Sequence, residues 1–186
     1  VGSSSNTFTY DLNEGTKADN YEIKTVAGTL TVRNRTDKYE IEVVANSNTD
    51  NTYDGTEYAA TGFVTLTFTV DNNTYTVEGL TTSDPKSTDV TTKPNEISGT
   101  EIVRDAAGND VTSQFIVTKT DGELEIKKRE VTLTSATDSK EYDGTELTNH
   151  EVTVSGDGFV EGEGATYTVT GAQLTVGSSS NTFTYD

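Results

Sequence analysis

Across 186 residues, Asp and Glu outnumber Lys and Arg 31 to 13, and the formal charge of -18 excludes a basic nucleic-acid interface. Cys is absent and His occurs once, which removes thiol nucleophiles, disulfide frameworks, thiolate metal sites and paired-His chemistry. Apolar residues make up only 31% of the chain, and no run of them suits a bilayer span or a secretory leader. The expectation is a soluble chain, neither a precursor nor a membrane protein, built on thin sandwich cores.

In chain order, alternation of apolar and polar residues predicts half-buried strands at 7–10, 21–26, 29–33, 40–44, 64–70, 74–78, 115–119, 123–127, 130–135, 151–155, 166–170 and 181–185. Thr supplies 37 of the 186 residues, and a β-branched polar side chain suits the wet face of a pleated sheet better than a helix interior. Residues 1–6, VGSSSN, contain no Lys and precede a strand rather than a helix, so they read as a hairpin loop and not as a phosphate cradle. Ala27-Gly28, Asp71-Asn72-Asn73, Asp121-Gly122 and Gly156-Asp157-Gly158 punctuate the strands at hairpin spacing. The polar stretch 81–92, with Pro85, reads as a loop. These elements predict an all-β chain of tandem antiparallel, Ig-like β-sandwich modules with little or no helix.

The eleven residues VGSSSNTFTYD at 1–11 return letter for letter at 176–186. The simplest reading is one period of a longer tandem array plus an overlap into the next copy. Within the period, residues 20–35 align with 114–129: Tyr21 faces Phe115, Ile23 faces Val117, Gly28 faces Gly122, Leu30 faces Leu124 and Val32 faces Ile126. The tetrapeptide YDGT also occurs twice, as Tyr53-Asp54-Gly55-Thr56 and Tyr142-Asp143-Gly144-Thr145. The predicted organisation is the C-terminal half of a split module at 1–35, a complete module at 36–128, and the N-terminal half of the next split module at 129–186. The joints lack Pro-rich or Gly-Ser spacers, which predicts a stiff, extended array. Residues 35–128 and the remainder each carry a net charge of -9, an even coat that favours solubility and mutual repulsion.

Carboxylate pairs are too common in so acidic a chain to indicate general acid and base catalysis. His150 lies in a loop with no GxSxG partner, and is expected to be a solvated side chain. Asp105–Asp110 and residues 46–54 concentrate oxygen ligands suited to calcium, but neither has EF-hand spacing, and Asx residues favour turns for local reasons. No catalytic residue, no metal ligand and no cofactor is assigned. In the YDGT elements, Asp-Gly predicts a turn, with the Tyr ring laid across the sandwich edge. Packing of this kind predicts a loss of a few kcal/mol on replacing Tyr142 with Ala.

Tyr53-Asp54-Gly55 and Tyr142-Asp143-Gly144, together with the closing pattern that contains Gly28 or Gly122, resemble MBG or YDG-type repeat domains of bacterial surface proteins. DAAGNDVTSQF at 105–115 is similar to the segment preceding the closing hairpin in such domains. The resemblance implies an extracellular, cell-surface stalk or filament repeat without catalytic residues, whose partners are adjacent identical repeats. The complete module departs from the split one by an insertion at 61–95, so the alternative function is an adhesin module that binds a glycan or host protein there, with Tyr53, Tyr58 and Tyr75 available for stacking. Strand exchange between separate copies is a further possibility for assembly.

Overall fold

The computed structural model describes all of the chain, residues 1–186. It is all-β, 46% strand and 3% helical, and is divided among several small sheets. In chain order the strands are β1 (Gly2–Asn6), β2 (Gly28–Val32), β3 (Tyr39–Val44), β4 (Asn48–Thr52), β5 (Tyr58–Ala59), β6 (Thr67–Val70), β7 (Asn73–Thr82), β8 (Lys86–Ser87), β9 (Thr91–Asn95), β10 (Ile97–Asp105), β11 (Phe115–Thr120), β12 (Gly122–Lys127), β13 (Val131–Ser135), β14 (Val152–Gly156), β15 (Tyr167–Val169) and β16 (Phe183–Tyr185). Helix is confined to short 3-10 turns at Ala18–Asn20 and Thr112–Gln114. No helix is long and apolar enough to cross a membrane. Two sheets have three strands, ordered β10-β7-β6 and β4-β12-β9; the others pair β1 with β2, β3 with β11, β5 with β8, β13 with β14, and β15 with β16.

The chain forms two compact units. The first comprises Val1–Val43, Thr65–Leu80 and Gly99–Lys119. Here Phe115 is buried, its ring edge-on to Tyr75 at 4.8 Å and tilted against Tyr39 at 5.4 Å. Ile41, Val43, Val77, Leu80 and Val103 are the other buried apolar residues of this unit. β6 and β7 form an antiparallel hairpin whose turn residues Asp71 and Asn72 have φ of 47° and 62°, the left-handed pair that matches strand twist. The Tyr39 hydroxyl donates to Asp71 Oδ2 at 2.7 Å and the Arg35 guanidinium lies 4.1 Å above the Tyr39 ring. The hydrogen bond to Asp71 holds the Tyr39 hydroxyl above its ordinary pKa.

The second unit comprises Val44–Val64, Thr81–Ser98 and Thr120–Asp186. Its best-covered strand is β12, where Gly122, Leu124 and Ile126 alternate as buried residues with outward Glu and Lys. β12 runs antiparallel to β9, pairing Gly122 with Asn95, Leu124 with Lys93 and Ile126 with Thr91, and parallel to β4, pairing Leu124 with Asn48 and Ile126 with Asn51. Leu124 and Ile126 pack with Ala60, and Tyr53 and Tyr58 lean on the cluster. Pro94 is tolerated because β9 is an edge strand.

The expected strands at 7–10 and 21–26 are not formed; these segments are exposed and have no partner strand. Six strands lacked a readable pattern: β1, expected as a loop, together with β4, β5, β8, β9 and β10. The expected loop at 81–92 contains the end of β7, all of β8 and the start of β9. β11 and β12 are not a hairpin, because β11 pairs with β3 while β12 enters another sheet, and the β12–β4 pair is parallel. Every buried apolar side chain lies between Ile41 and Ile126. Residues 1–35 are exposed throughout.

Candidate functional site

The two YDGT elements fold into the same turn. Asp54 Oδ1 accepts the Thr56 N–H at 2.9 Å and the Thr56 hydroxyl at 2.6 Å; Asp143 Oδ1 accepts the Thr145 N–H at 2.9 Å and the Thr145 hydroxyl at 2.8 Å. Gly55 and Gly144 have φ of 80° and 78°, a conformation that L side chains rarely adopt. The short Asp side chain closes the turn on its own backbone. The Thr56 hydroxyl, the Thr56 N–H and the Tyr58 hydroxyl hold the Asp54 carboxyl below its ordinary pKa. The Thr145 N–H and hydroxyl, helped by the Lys140 ammonium at 3.0 Å, pull Asp143 down to about 2.

The surroundings of the two turns differ. Tyr53 N–H donates to the Lys127 carbonyl at 2.9 Å, its ring leans on the Leu124 cluster, and its hydroxyl donates to Glu163. That last bond raises the Tyr53 pKa. A β-carbon on Gly55 would lie 3.2 Å from Val160. Arg129 Nε donates to the Gly158 carbonyl at 2.7 Å and the Asp157 N–H donates to the Glu130 carbonyl at 2.9 Å, so the chain leaving β12 is clamped onto residues 157–163. Tyr142, by contrast, is 68% exposed. The expected cost of replacing it does not apply here, because no strand lies where β12 lies beside Tyr53.

Gly122 and Gly28 differ in the same sense. A β-carbon on Gly122 would collide with the Asn46 carbonyl oxygen and stand 2.8 Å from that of Ala45, so any side chain here forces the backbone to shift. A β-carbon on Gly28 would meet nothing nearer than Asn6 at 3.9 Å. Leu30 and Val32, which align with the fully covered Leu124 and Ile126, are 57% and 67% exposed.

Beside Tyr142 lies an open groove of about 650 Å³, lined chiefly by residues 135–140 and 171–181. Asn181 closes one end: its Nδ2 donates to the Ala136 carbonyl at 3.0 Å and the Asn149 carbonyl at 2.9 Å. Asn95 has the matching place beside β12, donating to the Asn46 carbonyl at 3.0 Å and the Gly62 carbonyl at 3.4 Å. Asn95 Oδ1 accepts the Asp84 N–H at 3.0 Å, whereas Asn181 Oδ1 is buried without a partner.

Comparison with family models, curated proteins and solved structures finds no match.

The remaining sequence candidates are occupied locally. Asp105 Oδ1 accepts the N–H groups of Ala107 and Asn109, each at 2.9 Å, and Asp110 Oδ1 accepts the Thr112 N–H at 3.0 Å and hydroxyl at 2.7 Å. The Asn109 side-chain amide, which donates to Asp105 Oδ2 at 2.9 Å, and the Asn109 N–H hold the Asp105 carboxyl below its ordinary pKa, and the Thr112 N–H and hydroxyl do the same for Asp110. In residues 46–54, Asn46 and Asn48 donate to the carbonyls of Thr61 and Ala59. No group of three or more His, Cys, Asp and Glu side chains is gathered to hold a metal ion. His150 is exposed in the loop before β14. Of the stacking candidates, Tyr58 donates to Asp54 Oδ2 at 2.8 Å, Tyr75 packs on Phe115, and Tyr53 binds Glu163. Asn95 and Asn181 were not singled out by sequence reasoning. The one available signal was the recurrence of Asn6 and Asn181 within the eleven-residue repeat.

Proposed function

We propose that the chain is a structural repeat of a bacterial extracellular surface protein or filament, related to the MBG or YDG-type domains it resembles, and that it serves as a stiff stalk or spacer rather than as an enzyme. One observation carries this reading: the eleven-residue repeat uses complementary halves in its two copies. In the first, residues Gly2–Asn6 form β1 against β2, and residues 8–10 are unpaired. In the second, Phe183–Tyr185 forms β16 against β15, and residues 177–181 are outside any strand. In a tandem array a single copy makes both pairings, joining the half-module before it to the half-module after it. The finished units are then Ig-like sandwiches, linked covalently to identical neighbours.

The clamp of Arg129, Tyr53 and Glu163 at the joint after β12 supports stiffness, because a connection of few residues with fixed hydrogen bonds restricts bending. The net charge of -18 and the absence of Cys and Met suit an exposed, oxidation-resistant, self-repelling element. The test is solution scattering from chains carrying increasing numbers of repeats. A maximum dimension that rises in proportion to repeat number supports the spacer role; a compact or freely flexible chain rules it out.

A further inference from the structure

We infer that the groove beside Tyr142 is an acceptor for one specific strand, Gly28–Val32, supplied by a second copy of this chain. The inference deepens the array reading and rests on it, because in an array the following repeat is that second copy.

Three observations identify the occupant. First, β12 lies between β4 and β9, and the groove is lined by the sequence counterparts of those two strands: 137–140 align with Asn48–Asn51 at the spacing of the two YDGT turns, and 177–181 with Thr91–Asn95, Asn181 bonding two backbone carbonyls as Asn95 does. What the groove lacks is the counterpart of β12. Second, residues 28–33 are that counterpart in sequence, with Gly28, Leu30 and Val32 matching Gly122, Leu124 and Ile126. Their apolar side chains are exposed where those of β12 are covered. Third, the register is already displayed. β2 pairs with β1 as Gly28 with Asn6, Leu30 with Ser4 and Val32 with Gly2, which repeats the β12–β9 register of Gly122 with Asn95, Leu124 with Lys93 and Ile126 with Thr91. Since residues 2–6 and 177–181 are identical, the same strand meets the groove edge as Gly28 with Asn181, Leu30 with Ser179 and Val32 with Gly177.

Docking in this register places Leu30 and Val32 beside Tyr142, Leu147 and Leu174, and gives backbone partners to residues 177–181 by strand addition. Gly28 explains itself in the same way. Beside β1 it has free space, but beside Ala136 it occupies the place where Gly122 meets Asn46, where a β-carbon forces the backbone to shift. In the single chain, β1 already holds the edge of β2 that the groove would use, so β1 acts as a stand-in that keeps separate copies from linking. A head-to-tail contact of this kind does not close on itself and builds an open chain of copies.

The test titrates the full chain with a synthetic peptide of residues 12–35, which has no β1 to hold it. Saturable one-to-one binding is expected, with hydrogen-exchange protection appearing at 177–181. The same peptide carrying Gly28→Ala or Leu30→Asp is expected to bind at least tenfold more weakly. A chain lacking residues 1–11 should form concentration-dependent oligomers that excess peptide returns to monomers. The inference is overturned by absence of binding, by equal binding of the variant peptides, by protection confined to residues 2–6, or by a shortened chain that stays monomeric. Its failure is separable from failure of the spacer reading: covalent repeats that scatter as rods without peptide binding keep the spacer and remove the acceptor groove, and peptide binding by repeats that scatter as compact chains does the reverse.

Discussion

Gly122 lies against the backbone of Asn46 so closely that a β-carbon there would stand 2.7 Å from the Asn46 carbonyl carbon. Neither backbone is free to yield, since the Ala45 and Asn46 N–H groups are bonded to the Thr120 and Gly62 carbonyls, each at 2.9 Å. Gly122→Ala should therefore destabilise the chain by about 1–3 kcal/mol, the usual range for overpacking. Gly28→Ala has open space and should change stability by less than about 0.5 kcal/mol. Urea denaturation of the two variants checks the contrast, and equal costs would mean that the aligned glycines have the same surroundings.

Leu124 and Leu30 offer the parallel test on side chains. Leu124 is fully covered in the cluster with Ala60 and Ile126, and its replacement by Ala should cost about 2–5 kcal/mol. Leu30→Ala removes an exposed side chain and should stay within about 0.5 kcal/mol. Thermal unfolding of both variants is sufficient to read the difference.

The two tyrosines of the YDGT turns should also separate. Tyr53→Ala removes a half-buried ring and a hydroxyl bound to Glu163, at an expected cost of about 1–2 kcal/mol, below the range for a fully buried aromatic. Tyr142→Ala should be close to neutral in the single chain. A large loss for Tyr142→Ala in unfolding experiments would show that its ring is covered.

Asp143 sets a pH window. Its folded-state pKa is depressed to about 2 from 3.8, so its contribution to stability is present above about pH 4 and is lost as pH falls through the folded value. Asp143→Asn should leave the neutral-pH fold in place and flatten that part of the pH dependence. A carboxyl NMR titration should find a midpoint near 2 in the folded chain; a midpoint near 4 would show that the turn does not hold the charged form.

The β class was legible because Leu, Ile, Val and Tyr alternate at period two wherever a strand has one covered face, as in β3, β11 and β12. β1 and β9 were not, since an edge strand of Ser, Thr, Lys and Pro is held by backbone pairing and carries no apolar stripe. The YDGT turns were readable from Asp-Gly alone. What separates Tyr53 from Tyr142, or Gly122 from Gly28, is invisible locally: the residues are the same and only their neighbours in space differ. The segment at 7–10 illustrates this most simply, because Phe-Thr-Tyr is a strand at Phe183–Tyr185, where β15 is present, and is none at 8–10, where it has no such partner.

The central claim is tested most directly by expressing one, two, four and eight covalent copies of the period that runs from Val1 to residue 175 and measuring their maximum dimension by small-angle scattering. The account predicts growth in direct proportion to copy number, with the unpaired halves of all internal repeats becoming protected from hydrogen exchange. Growth with the square root of copy number, or internal repeats no better protected than the single chain, would contradict it.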